Sequence, residues 1–108
     1  MKSPFTQDAK TRKTYPVHSG FLAYFPRAIA EVAHVSWGGN EQHHPGTPLH
    51  WDRSKSQDEE DAMMRHHIDS ILYEQKYGMP NIYELAKRAW RAMADLEKAC
   101  EERDKDEN

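Results

Sequence analysis

Residues 58–77 read DEEDAMMRHHIDSILYEQKY and are closed by Gly78. Met64, Ile68, Ile71 and Leu72 recur at three- and four-residue steps, which gives one apolar face of a helix. The acidic opening, Asp58 to Asp61, suits the positive end of a helix dipole. Ser56 or Gln57 stands where a cap belongs, and Gly78 suits the left-handed position that ends many helices. The stretch therefore predicts a helix over 58–77. A second stripe, Asp58, Asp61, Arg65 and Asp69, falls at i, i+3, i+7 and i+11 beside the first. Acids that border an apolar face can point into the interior of a bundle.

Working outward, the segment after Pro80 opens with Asn81 and carries Glu84 three residues on, a capping-box-like start. Ile82, Leu85, Ala89, Met93, Leu96 and Cys100 then repeat at helical steps, before a charged tail, EERDKDEN, that should fray. On the other side, Pro26 suits the first position of a helix. Phe25, Ile29, Val32, Ala33 and Trp37 share a face, so a helix is expected from Pro26 to about Trp37, stopping at Gly38-Gly39. Between the two lies GGNEQHHPGTPLHWDRSKSQ (38–57), longer than an ordinary connection and hence a candidate substrate loop. Residues 1–14 read as a flexible arm and Tyr15–Tyr24 as an irregular lead-in. No strand pattern or internal repeat persists. The expectation is an all-α bundle of three to four helices in one domain, 15–104, with a charged tail, 105–108.

The chain has 108 residues, of which 37% are hydrophobic and 31% charged. Globular domains usually hold roughly 45–50% apolar residues with glycine included, so the core is thin and a homo-oligomer is expected to complete it. A formal net charge of −3 argues against a general nucleic-acid binder, which needs a basic surface. No apolar run is long enough to cross a membrane, and no signal peptide is evident. Cys100 stands alone, and a reducing cytoplasm is its simplest setting.

Carboxylates converging from more than one element are what oxygen-loving Mg²⁺ or Mn²⁺ require. Asp58 and Asp61 offer two from one helix face, and Glu31 offers one from the preceding helix, with His34 a turn beyond it. The alternative is that DEED is a solvated, dipole-favoured helix start. Arg65 can orient a carboxylate or phosphate oxygen, or can simply pair with Asp61 or Asp69 on the surface. The histidines match no zinc signature, though His66 can bond a phosphate or a carboxylate ligand. In the loop, Arg53 and Lys55 can neutralise phosphates and Trp51 can stack on a base. Asn40 and Gln42 can read a base edge.

The loop motif GN-x-QH-x-PG-x-PLHW, the Lys55-Ser56 step, D-x-x-x-RH from Asp61 to His66, and AKRAW (86–90) carry a resemblance. Over residues 15–97 the chain resembles the phage dATP/dGTP diphosphohydrolases (MazZ-like), within the MazG-type all-α NTP pyrophosphatases. The resemblance implies a bundle that oligomerises as a dimer or tetramer and holds two or three Mg²⁺ or Mn²⁺ ions between helices. It implies cleavage of dGTP and dATP to the monophosphate and pyrophosphate, in the host cytoplasm. It would place Lys55, Arg65 and His66 in catalysis. Glu31, His34, Asp58, Asp61 and Asp69 would lie at the metal, and Asn40, Gln42, His43, Trp51 and Arg53 on the substrate. The chain departs from the family's E-x-x-E and E-x-x-D pairs. His34 stands at the second glutamate, Asp58 and Asp61 take the later pair, and Asp69 is a candidate replacement ligand. The competing readings are a non-catalytic helical adaptor for a host protein and a pyrophosphatase for another nucleotide.

Overall fold

A computed structural model describes residues 3–55 and 57–107, with side chains described through residue 105. Ser56, one of the two expected caps, lies outside the described residues. Among these residues there is no strand. In chain order come α1 (Ala9–Arg12), a π-helical turn (His18–Leu22), α2 (Pro26–His43), a 3-10 turn (Arg53–Lys55), α3 (Glu59–Tyr77) and α4 (Ile82–Arg103). A last 3-10 turn covers Asp104–Glu107. The expected all-α architecture is what forms.

The helix ends follow local chemistry. The Asn81 side chain accepts from the Glu84 N–H at 3.1 Å, a cap that starts α4. Gly78 closes α3 at φ 73, where a Cβ would be strained. Asp58 is the N-cap residue of α3, but its side chain makes no capping bond. The arm contains α1, whose cap Asp8 accepts from the Thr11 N–H at 3.1 Å. The lead-in coils into the π-helical turn.

One expected boundary moves. Helix α2 does not stop at Gly38-Gly39; it continues to His43. Glycine costs a helix about 1 kcal/mol relative to alanine but ends it only where a positive φ is taken up. Neither glycine has positive φ; Gly46, with φ 80, does. Asn40, Gln42 and His43 therefore stand on the last turns of a helix rather than on a loop.

Helices α2 and α3 both pack on α4. The Trp90 indole N–H donates to Ser36 Oγ at 2.6 Å, joining α4 to α2. The α3–α4 seam is small and polar. The buried apolar residues of the helices are all small: Ala62 on α3, and Ala86 and Ala94 on α4. Glu59, 4% exposed, meets Arg91 at 2.6 Å and Lys98 at 3.0 Å. The expected apolar stripe of α3 turns outward instead, with Met64, Ile68, Ile71 and Leu72 all exposed; that of α4 is split, with Ile82, Met93 and Leu96 exposed and Leu85, Ala89 and Cys100 half-buried.

Candidate functional site

A groove of about 860 Å³ runs between the end of α2, the following loop and α4. The C-terminal turns of α2 bring Asn40, Gln42 and His43 to it, the loop brings Trp51 and Lys55, and α3 brings His66. Six of the residues that the sequence singles out, separated by up to 26 positions, thus line one concavity. Helix α4 closes the far wall with Tyr83, Lys87, Trp90 and Arg91.

The loop is tied down at both ends. Asn40 Nδ2 donates to the Thr47 carbonyl at 3.1 Å, which fixes the amide so that Oδ1 is the acceptor. Arg53 lays its guanidinium 4.1 Å from the centroid of Trp51 and donates to Glu101 at 3.2 Å. Trp90 meets Trp51 edge-on at 5.6 Å. Asp52 accepts from the Ser54 hydroxyl at 2.6 Å, which holds the carboxyl below its ordinary range. Two polar atoms of the lining are left over. Asn40 Oδ1 and Trp51 Nε1 are buried with no hydrogen-bond partner among the described residues. An unsatisfied buried group costs about 1–3 kcal/mol, so such atoms call for a partner that the chain itself does not supply.

The metal-site residues fall into separate places. Glu31 and His34 are exposed on α2, and His34 stacks on Trp37 with ring centroids 5.4 Å apart. Asp58 and Asp61 border a hollow of about 260 Å³ with Asp95 and Lys98, and neither Glu31 nor His34 lines it. Asp58 already holds Arg65 at 2.9 Å, and that hydrogen bond lowers its pKa. The Arg65 partner is thus Asp58, two turns away, in place of Asp61 or Asp69.

Asp69 has other company. One ligand atom each from His66, Asp69 and Glu84 lies within 4.8 Å of the other two, a possible metal-binding triad and the sole such group among the described residues. His66 Nδ1 is 2.8 Å from Glu84 Oε2, and Lys87 Nζ is 3.3 Å from Glu84 Oε1. His66 belongs to both the triad and the groove, so the two features adjoin.

The sequence reading missed Tyr83, Glu84, Lys87, Trp90 and Arg91. A signal existed: Tyr83, Lys87, Trp90 and Arg91 recur at i, i+4, i+7 and i+8, one face of α4. It was masked by the apolar residues interleaved with it.

The chain matches no family model, no curated protein and no solved structure. Among the described residues no helix is long and apolar enough to cross a membrane.

Proposed function

We propose that the groove binds a purine deoxynucleoside triphosphate, and that the protein splits it to the monophosphate and pyrophosphate with the help of Mg²⁺ or Mn²⁺. The observation that carries this reading is the convergence of Asn40, Gln42, His43, Trp51, Lys55 and His66 on one groove. Aromatic surface for a base, amides for its edge and cations for phosphates meet there. The resemblance of residues 15–97 to MazZ-like enzymes supports the same reading, and with it a place in phage nucleotide-pool remodelling in the host cytoplasm.

Trp51 and Trp90 supply apolar surface against which a base can lie. Asn40 and Gln42 bring side-chain amides to the groove, where a base edge can be read. Lys55 and Lys87 set positive charge on the groove wall, where charge developing on phosphate oxygens is stabilised. Divalent cations supply neutralisation of the triphosphate and an activated water. Of Mg²⁺ and Mn²⁺, Mn²⁺ suits the mixed nitrogen and oxygen donors of His66, Asp69 and Glu84. Asp58 and Asp61 offer further oxygens, which Glu31 and His34 would join from a second copy.

A second copy is part of the proposal. The chain exposes 8757 Å². A compact monomer of 12.6 kDa exposes about 6,200 Å². The excess of roughly 2,500 Å² exceeds the ~800 Å² that each partner contributes to a standard interface, and fits an obligate homo-oligomer, a dimer or tetramer.

The test is pyrophosphate release from a panel of dNTPs and NTPs with Mg²⁺ or Mn²⁺, with an EDTA control and the Asp61→Asn variant. Release from dGTP or dATP, abolished by EDTA and reduced at least 100-fold in the variant, is expected. Release confined to pyrimidine nucleotides would shift the substrate. Silence from the folded protein would favour the adaptor reading, for which the exposed stripe at Met64, Ile68, Ile71 and Leu72 is the supporting surface.

A further inference from the structure

We infer that His66, Asp69 and Glu84 form a binding site for one first-row transition-metal ion at the edge of the groove. The site needs no nucleotide and stands whether or not the groove turns one over. Its donors come from two helices whose relative placement is set independently. His66 and Asp69 lie three apart on α3, and Glu84 lies in the first turn of α4, where the Asn81 cap holds the backbone.

The spacing suits an ion. Nitrogen and oxygen ligands stand about 2.0–2.2 Å from such a metal, so any two can be at most about 4.4 Å apart. The three ligand atoms lie within 4.8 Å of one another, so closing on an ion requires movements of a few tenths of an ångström. The exposed Asp69 side chain supplies that freedom. His66 and Glu84 are already half-buried and hydrogen-bonded.

The donor set selects the metal class. One imidazole with two carboxylates favours Mn²⁺, Fe²⁺, Co²⁺ or Zn²⁺ over all-oxygen ions such as Mg²⁺ and Ca²⁺. The charge also fits. Two carboxylates face a single close ammonium, Lys87, which sits on Oε1 of Glu84 and leaves Oε2 toward His66. Lys87 therefore acts as an orienting partner, as groups behind metal ligands commonly do. Three protein ligands would leave coordination positions open, which water or a phosphate oxygen could fill.

The experiment is titration of the intact, metal-free protein with Co²⁺, without nucleotide, following visible absorption, with circular dichroism as the folding control. One ion per chain is expected. Affinity should fall about 10- to 100-fold or more in both Asp69→Asn and Glu84→Gln, the scale on which lost metal-site partners act. Asp61→Asn, which alters the other acid pair, should leave this ion in place. Asp69 is exposed, so its variant tests the site without disturbing the α3–α4 seam. Unchanged affinity in folded Asp69→Asn and Glu84→Gln, or no binding at one equivalent, would overturn the assignment. Nucleotide turnover fails or survives separately, since no nucleotide is present here.

Discussion

The face of α3 that packs on α4 and the face that looks away from it differ in the reverse of the usual sense. The inner face carries Glu59, Ala62, His66, His67 and Ser70, all buried or half-buried. The outer face carries Met64, Ile68, Ile71 and Leu72, each between 42% and 57% exposed. An isolated helix pair gains most by burying its large apolar side chains, each worth about 1.5–3 kcal/mol. Here the chain holds its helices together with alanines, ion pairs and imidazole bonds, and leaves the large apolar groups exposed. Polar chemistry is thereby concentrated next to the groove, and the large apolar groups stand exposed on the opposite side of the same helix.

The largest effect should come from breaking the inner face. Glu59→Ala leaves the Arg91 and Lys98 cations without the carboxylate that both contact. Removing one partner of a buried pair costs about 3–5 kcal/mol. At about 4–8 °C per kcal/mol for a domain near this size, thermal melting should fall by more than 10 °C. A fall of only a degree or two would mean that the seam does not depend on this network. Next in size is the outer face. Ile68→Asp should leave helical content intact but weaken self-association by about 2 kcal/mol or more, roughly 30-fold in Kd, as central interface positions do. Light scattering after size-exclusion chromatography reads the mass directly. An unchanged oligomer would remove the outer stripe from the interface.

That reversal also explains what could be read in advance. Periodicity located α3 and α4, and the Asn81–Glu84 start and the Gly78 stop gave their ends, because capping is local chemistry. Periodicity also identified the apolar stripes, but not what covers them: a stripe looks the same whether it meets a helix of its own chain or of a second copy. The Gly38-Gly39 pair misled for a related reason, since a glycine ends a helix only when the following chain turns away. The groove was legible in part, from Trp51 and Lys55 on the loop and from Asn40 on the last turns of α2. Its α4 wall was hidden, because Lys87 and Arg91 are ordinary residues for an exposed helix. Glu84 was read as part of a cap, and its second partner, His66, lies 18 residues away across a turn.

The smallest expected effect concerns the border between the two faces, where Asp58 pairs with Arg65. Both side chains are more than half exposed, so solvent screens the pair and its contribution is slight. Its pH dependence is nonetheless defined. The Arg65 hydrogen bond lowers the Asp58 pKa from its ordinary 3.8. A carboxyl with a depressed folded-state pKa adds stability that is fully present above the unfolded value and lost as pH falls through the folded one. Asp58 makes no side-chain capping bond, so the near-isosteric Asp58→Asn removes the charge and leaves the start of α3 otherwise unchanged. The melting temperature of wild type should exceed that of the variant by a small margin at neutral pH, and the gap should close as pH drops below 3.8. A gap that persists at the lower pH would show that Asp58 acts through its shape or its place at the start of α3, not through its charge on Arg65.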